Sequence, residues 1–278
     1  MNIAAQFAKA QLFRHMHDRA SVLLLPNAWD AASARLFARA GFSAVATTSA
    51  GVAWSLGYAD GEQAPLDDVL AATARIAHAV DLPVTADIES GYGATPDAVA
   101  ETVRAVIAIG AVGINIEDGL HASGQLRAID DAVARIRAAR TAADQAGVPI
   151  VINARTDTYL RPFGDNPALR LDETVRRGRA YFAAGADCLY PIGLADAATL
   201  AALVRALDAP INVTARPGLA NMTELAHLGV ARVSTATRLA TLALSAVDTA
   251  LRQLRASGRF DGLESTLGHA DMQRMFEG

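Results

Sequence analysis

Short apolar runs alternate along this chain with longer stretches of helical spacing, and this alternation restricts its fold more than any other feature. The runs are four to six residues long, at 22–26, 43–48, 83–87, 112–117, 149–153, 187–190, 211–214 and 231–234. Most are apolar throughout, which is typical of strands buried on both faces of a parallel sheet. The clearest helical stretches between them are 95–109 and 171–184.

Glycine marks the ends of the repeating units. Gly110, Gly147 and Gly185 each follow a helical stretch, as C-cap glycines do, and their spacing of about 37 residues is that of one strand–helix unit. Eight such units predict an α/β fold, a closed (β/α)8 TIM-type barrel. The alternative is an open doubly wound sheet, which usually has a glycine-rich phosphate turn after its first strand, and PNAW at 26–29 is unlike that turn.

The predicted domain organisation is a single barrel domain over residues 1–278. A helix precedes the first strand, and residues 258–278 form a C-terminal helical extension beyond the barrel. The longest irregular segment is expected at 161–170.

Composition excludes several classes of function. The net charge of −4 leaves no basic excess for binding nucleic acid. The single cysteine, Cys188, excludes an intramolecular disulfide and a cysteine-based zinc site. Lys9 is the only lysine and precedes every predicted strand, which argues against Schiff-base chemistry. No apolar stretch reaches the ~18 residues of a membrane span, and the N-terminus lacks a secretory pattern, so we expect a cytoplasmic protein without membrane partners.

Acidic residues gather where two neighbouring strands end, which is the end of a barrel that carries active sites. Asp87 and Glu89 are two apart, so in an extended segment they point the same way, and Glu117 ends the next strand. Three carboxylates at one barrel mouth repel one another unless a cation lies among them. Oxygen ligands of this kind suit Mg²⁺, with Mn²⁺ as a substitute. The alternative is that these acids cap helices or pair with arginines.

Other polar residues at the same end are candidates for binding an anion. Arg155 can form a forked pair with a carboxylate or phosphonate, or an ion pair with a neighbouring acid. The turn containing Thr48, Ser49 and Gly51 can offer N–H groups and hydroxyls. Asn212 either reaches a substrate oxygen or is satisfied by its barrel neighbours.

Five segments resemble the isocitrate lyase/phosphoenolpyruvate mutase superfamily. They are PNAWD at 26–30, SLGYAD at 55–60, ADIESGYG at 86–93, NIEDG at 115–119 and NART at 153–156. The match runs in order from about residue 20 to residue 240. The block at 86–93, followed by Glu-Asp on the next strand, is the most specific part.

The resemblance implies a barrel whose last helix is exchanged between subunits, which gives homodimers and often homotetramers. It implies Mg²⁺ held by Asp87, with Glu89 and Glu117 acting directly or through water. It also implies that a 2-oxo acid or its enolate is surrounded by Thr48, Ser49, Asp60 and Arg155.

Two departures from the family pattern affect the predicted chemistry. Glu89 stands where aspartate is frequent, and the loop at 120–126 lacks the Lys-Lys/Arg-Cys-Gly-His segment whose cysteine is the acid/base in lyase members. We therefore expect His121 or a metal-bound water to move the proton, and the predicted catalytic residues are Arg155, Glu117 and His121.

The resulting prediction is a Mg²⁺-dependent lyase or decarboxylase. It would cleave a C–C bond of a small 2-oxo or 2-hydroxy di- or tricarboxylate, such as oxaloacetate or methylisocitrate, through a metal-bound enolate. Two alternatives remain at this stage. One is P–C bond chemistry on phosphonopyruvate or phosphoenolpyruvate, by a mutase or hydrolase. The other is a barrel that binds a carboxylate without turnover.

Overall fold

The structure is a computed structural model that describes residues 3–161, 163 and 166–277. Its helices are α1 (Ile3–His15), α2 (Ala31–Arg39), α3 (Ser49–Ser55), α4 (Leu66–Ala79), α5 (Pro96–Ala108), α6 (Ile129–Ala146), α7 (Pro167–Ala183), α8 (Ala197–Leu207), α9 (Met222–His227), α10 (Arg238–Ser257) and α11 (His269–Phe276), with a 3₁₀ helix at Asp261–Leu263. Its strands are β1 (Leu23–Leu25), β2 (Asn27–Ala28), β3 (Val45–Thr47), β4 (Val84–Asp87), β5 (Gly113–Glu117), β6 (Val151–Thr156), β7 (Cys188–Pro191), β8 (Asn212–Thr214) and β9 (Arg232–Ser234).

The strands form a closed ring of parallel neighbours. One sheet has the order β2-β3-β4-β5-β6-β7 and the other has the order β1-β9-β8. The two sheets are continuous on one side because β1 and β2 are halves of one strand, separated at Pro26, a residue without an N–H group. On the other side a parallel bridge pairs Leu189 with Ile211. The predicted (β/α)8 barrel is therefore confirmed.

Each of the eight predicted strands is present, with small differences at the ends. The strand expected at 149–153 runs on to Thr156, so Arg155 lies within β6 rather than after it. The helix expected at 171–184 begins at Pro167, because the Asn166 side chain accepts a hydrogen bond from the Ala168 N–H at 2.9 Å. In the predicted irregular segment at 161–170, positions 162, 164 and 165 lie outside the described residues.

Helix α1 covers the end of the barrel opposite the carboxyl ends of the strands. Gln6 donates hydrogen bonds to the carbonyls of Ile107 and Ala111, at 2.7 and 3.0 Å. Phe13 is fully buried and packs so closely on β5 that a Cβ at Gly113 would lie 2.8 Å from its ring. The N-terminal helix thus seals the floor of the barrel, and Gly113 makes the close approach possible.

The C-terminal part of the chain leaves an apolar row exposed. Leu244, Val247 and Leu251 share one face of α10 and are each 55–57% exposed. Beyond α10, the predicted extension folds back, and the Met275 carbonyl accepts a hydrogen bond from Arg35 on α2. None of the helices in the described part of the chain is long and apolar enough to cross a membrane.

His17, just after α1, gives the fold a dependence on pH. The residue is 4% exposed, and Nδ1 lies 2.8 Å from the Phe13 carbonyl, which makes Nδ1 the protonated nitrogen. Burial, reinforced by the nearby charge of Arg232, lowers the pKa of His17 to about 3. The unfolded chain, where histidine has its ordinary pKa of about 6.5, therefore binds one more proton than the folded chain between these values.

We predict that this one group lowers the free energy of unfolding by about 2 kcal/mol between pH 7.5 and pH 5.0, because stability falls wherever the unfolded state binds more protons. Urea unfolding at the two pH values should show a drop that is smaller by that amount in His17→Leu than in the wild type. His15→Leu is the control, since His15 is exposed, and should show the wild-type drop. Equal drops in all three proteins would contradict the assignment.

Candidate active site

A polar cavity of about 220 Å³ opens at the carboxyl ends of the strands. Of the predicted substrate residues, the ones that line it are Thr48, Ser49, Asp60, Asp87, Arg155 and Asn212. Gly51, Glu89, Glu117 and His121 do not line it. The structure thus brings the anion-binding candidates together and sets most of the predicted acidic cluster beside them.

Asp87 ends β4 and presents its carboxylate to the cavity. Its Oδ2 accepts a hydrogen bond from the Ser49 N–H at 3.1 Å, and its Oδ1 accepts one from Asn115 Nδ2 at 2.9 Å. Asn115 in turn accepts a hydrogen bond from Asn153 Nδ2 at 2.9 Å. The Asn115 amide on β5 therefore orients Asp87, and the Asn153 amide on β6 orients Asn115 in turn.

Arg155 is held by two carboxylates at the mouth of the barrel. Its Nη1 lies 2.5 Å from Glu117 Oε2, and its Nε donates to Asp157 Oδ1 at 2.7 Å. Burial alone would lower the pKa of Arg155, but the charges of Glu117 and Asp157 outweigh it and raise the pKa above its usual value. Arg155 is therefore charged and fixed in position by ion pairs with neighbouring acids, one of the two roles that the sequence left open.

Asp157 is itself fixed by the buried carboxylate of Asp118. Asp118 is 1% exposed and accepts hydrogen bonds from the Asp157 N–H at 2.9 Å, Tyr181 Oη at 2.6 Å and Arg177 Nη1 at 3.0 Å. A Cβ at Gly119 would lie 2.5 Å from Asp157 Oδ2, so glycine is needed there. This network anchors the strand end that carries Arg155 to helix α7.

Glu117 and Glu89 both approach Nε2 of the His121 imidazole. His121 Nε2 is 3.2 Å from Glu117 Oε1 and 3.4 Å from Glu89 Oε2, and the contact with Glu117 is the main cause that raises the pKa of His121. Burial raises the pKa of Glu117, while Arg155 opposes that shift. Glu117 Oε1 remains a buried oxygen without a donor in hydrogen-bond geometry among the described residues.

The expectation that Glu89 points the same way as Asp87 is wrong. Strand β4 ends at Asp87, and Glu89 has a φ of 51°, in the left-handed region, so the two-residue alternation stops. Glu89 instead accepts hydrogen bonds from Tyr92 Oη at 2.8 Å and from the Glu62 N–H at 2.7 Å. Burial raises the pKa of Glu89 to about 7.

These contacts bear on the predicted metal site. Within residues 3–161, 163 and 166–277, no three His, Cys, Asp or Glu side chains are arranged as a metal-binding group. The donor set nevertheless fits Mg²⁺, because it consists of carboxylates and includes the orphaned Glu117 Oε1. Coordination by Asp87, Glu89 and Glu117 therefore stays a prediction.

The segment predicted as an anion-binding turn is the first turn of a helix. Thr48 is the N-cap of α3, and Gly51 lies inside that helix, so the expected loop conformation is wrong. A Cβ at Gly51 would lie 2.8 Å from Trp29 Cβ, which explains the glycine by close packing. The Asn212 amide lines the cavity and is also satisfied within the barrel, by Ser234 Oγ at 3.0 Å.

Tyr190 and Arg232 are among the lining residues that sequence analysis missed. Tyr190 lies on β7, with its hydroxyl 2.5 Å from Thr214 Oγ1, and Arg232 on β9 is 2% exposed. A signal for Arg232 was present, since it is a lone charge within the apolar run at 231–234. The residues of β7 gave no comparable signal, because tyrosine is common in buried strands.

Comparison with known proteins places these residues in a family. The phosphoenolpyruvate phosphomutase family matches residues 13–255. An uncharacterized protein of Mycobacterium tuberculosis H37Rv is 38% identical over 224 residues, 80% of this chain and 81% of that protein. The 2-methylisocitrate lyase of Escherichia coli K12 is 33% identical over 76% of this chain and 69% of the enzyme. The oxaloacetate decarboxylase of Ectopseudomonas mendocina ymp is 32% identical over 77% of this chain and 73% of the enzyme.

Solved structures share the whole architecture. The crystal structure of a candidate lyase/mutase from Burkholderia cenocepacia J2315 has a TM-score of 0.90 and 42% identity, covering 99% of this chain and 98% of that chain. Oxaloacetate acetylhydrolase, solved with its product oxalate, has a TM-score of 0.86 and 27% identity, covering 97% and 94%. The matched region spans the barrel and its mouth. The chain therefore belongs to the phosphoenolpyruvate mutase/isocitrate lyase superfamily of carbon–carbon lyases and mutases.

Proposed function

We propose that the protein is a Mg²⁺-dependent lyase or decarboxylase that cleaves a C–C bond of a small 2-oxo or 2-hydroxy di- or tricarboxylate. The observation that carries this proposal is a fixed guanidinium, Arg155, that faces the same cavity as the Asp87 carboxylate. The named relatives that act on oxaloacetate and 2-methylisocitrate support oxo-acid chemistry of this kind.

Arg155 would bind the carboxylate of the substrate and stabilise the enolate that C–C cleavage leaves. Its Nη1 is already engaged by Glu117, and its Nε and Nη2 by Asp157, so the side chain loses little freedom when an anion binds to its remaining N–H groups. A preoriented charge in a partly dry site stabilises developing negative charge better than a mobile one.

Asp87 would hold Mg²⁺ at the cavity, with Glu89 and Glu117 as direct or water-mediated ligands. Bound there, the ion neutralises charge on the oxygens of the oxo acid. The chain's own contribution is to orient the Asp87 carboxylate, through the N–H of Ser49 and the amide of Asn115.

Proton transfer has two candidates at different places. His121 contacts Glu117 and Glu89 outside the cavity lining, so the loop at 120–126 would have to move before Nε2 could reach the substrate. Tyr190 already lines the cavity, and burial raises its pKa, which keeps the hydroxyl protonated. The Tyr190 hydroxyl lies 2.5 Å from Thr214 Oγ1, so it would have to leave or share that contact to donate to the substrate.

P–C bond chemistry is the second candidate, because the matching family is that of phosphoenolpyruvate phosphomutase. A phosphonate suits the forked donors of Arg155 as well as a carboxylate does. Products separate the two candidates. Hydrolysis of phosphonopyruvate releases pyruvate and phosphate, a mutase converts it to phosphoenolpyruvate without releasing either, and C–C cleavage of an oxo acid releases no phosphate.

We also propose that the protein forms a homodimer or homotetramer in which α10 packs on a neighbouring subunit. Its row of exposed leucine and valine is the face that such packing would bury.

We predict that oxaloacetate yields pyruvate only when Mg²⁺ is present, and that Asp87→Ala lowers turnover at least a hundredfold with an unchanged melting temperature. A coupled pyruvate assay on oxaloacetate, 2-methylisocitrate and phosphonopyruvate, together with phosphate detection, tests the substrate. Asp68→Ala, an exposed acid in the first turn of α4, is the control and should be as active as wild type. Undiminished activity of Asp87→Ala would refute the metal role.

Arg155→Lys should lower kcat/KM about 10- to 100-fold, because a lysine ammonium cannot keep the contacts to Glu117 and Asp157 and also donate to the substrate. Arg161→Lys is a matched control, since Arg161 also pairs with Asp157, at 3.2 Å, but does not line the cavity. The kcat/KM of Arg161→Lys should stay within about threefold of the wild-type value, because a partly exposed ion pair contributes little free energy. Similar kinetics for the two variants would argue against a direct contact between Arg155 and the substrate.

For the subunit contact, Leu244→Glu combined with Leu251→Glu should shift the protein to monomers in light scattering coupled to size exclusion. The control is Arg252→Gln on the polar side of α10, where the Arg252 side chain is 80% exposed. An unchanged mass for the double variant, or a monomeric wild type, would contradict the proposed packing.

A further inference from the structure

We propose that Arg232 binds a second anionic group of the substrate inside the barrel, so that the cavity takes a dianion with one end at Arg155 and the other at Arg232. The inference rests on the proposed function only in treating this cavity as the substrate site. The proposal narrows the substrate class to acids that carry a second carboxylate at the opposite end of the carbon skeleton from the first.

Arg232 is a buried cation without a counter-charge. The residue is 2% exposed and lines the cavity, yet its Nε and Nη1 atoms have no hydrogen-bond partner within the described residues. No described carboxylate forms an ion pair with it, and Asp87 is the acidic group that acts on it electrostatically. Burial lowers the pKa of Arg232, in line with a charge that lacks compensation.

Other buried arginines of this chain are fully paired, which makes Arg232 distinct. Arg135 donates to the carbonyls of Ser90, Gly93 and Ala94, and it pairs with Asp131 at 3.1 Å. Arg177 pairs with Glu173 at 2.7 Å and with Asp118 at 3.0 Å. The fold thus satisfies these buried guanidinium groups with protein acceptors, and among the arginines that line the cavity it pairs Arg155 with Glu117 and Asp157 but leaves Arg232 without such a partner in the described chain.

An anion from outside would complete this site. An uncompensated buried charge costs several kcal/mol, and a carboxylate recovers part of that cost through charge-assisted hydrogen bonds. Thr85 also lines the cavity, and its buried Oγ1 has no partner in the described chain, so it is a second donor close to the site. Water alone would satisfy the geometry of these groups but would leave the charge of Arg232 unbalanced.

The test compares two ligands that differ only at their far end. L-Malate and 2-hydroxybutyrate share a four-carbon 2-hydroxy acid skeleton, and malate carries a carboxylate where the other has a methyl group. Calorimetry with Mg²⁺ should give a dissociation constant at least about tenfold lower for malate in the wild type, the scale of one hydrogen-bonded charge pair. In Arg232→Met this ratio should fall to about one, with the constant for 2-hydroxybutyrate nearly unchanged.

Two further variants serve as controls. Arg232→Lys keeps the charge and should keep part of the preference for malate, whereas Arg104→Met removes a half-exposed charge on α5 and should keep all of it. A folded Arg232→Met that retains the wild-type ratio overturns the proposal, and so does a wild type without any preference. If Arg232→Met does not fold, a crystal of the wild type with malate decides. A carboxylate at Arg232 supports the proposal, and both carboxylates at the mouth refute it.

These binding ratios do not depend on turnover. If oxaloacetate is cleaved but the ratio of the two dissociation constants is the same in Arg232→Met as in the wild type, the proposed anion site at Arg232 is wrong and the proposed lyase stands. If the ratio responds but none of the assayed acids is cleaved, the subsite stands and the proposed reaction fails.

Discussion

The ion pair of Arg155 with Glu117, braced by Asp157, is the interaction on which the mouth of the barrel depends. Three charges meet there with little access to water, which carries a large desolvation cost unless the geometry is good. The geometry is secured from behind by the buried carboxylate of Asp118 and by Arg177 on α7. Because each member is buried, removal of one partner leaves an unpaired charge, at a cost of about 3–5 kcal/mol. The candidate active site is therefore part of what holds β5, β6 and α7 together.

Most of the barrel could be predicted from the sequence because its strands are marked at both ends. The apolar runs end at polar residues, and glycine or proline precedes the next run, so all eight strands were found within a few residues. Arg155 and Asp87 were placed correctly for the same reason, since both lie where a strand ends and the barrel opens. What the pattern could not show was that the strand containing Arg155 continues to Thr156.

The rest of the site depends on conformations that spacing does not encode. Two-residue alternation holds only while the backbone is extended, and the positive φ of Glu89 ends it immediately after β4. The imidazole of His121 between Glu89 and Glu117 depends on the course of a loop, which no periodicity fixes. Arg232 was overlooked because strands of three or four residues are too short to show which side chains face inward.

The loops around Glu62 and His121 are fastened to the same carboxylate. The Glu62 side chain accepts hydrogen bonds from the Ser90 N–H and the Tyr92 N–H, its own N–H donates to Glu89, and His121 contacts Glu89 from the other side. The ring of His121 also touches Gly61, close enough that a Cβ there would lie 3.3 Å from Nδ1. Neither loop can swing away without breaking contacts of the other. The two loops are thus coupled through the Glu89 carboxylate, so that a displacement of one loop alters the contacts made by the other.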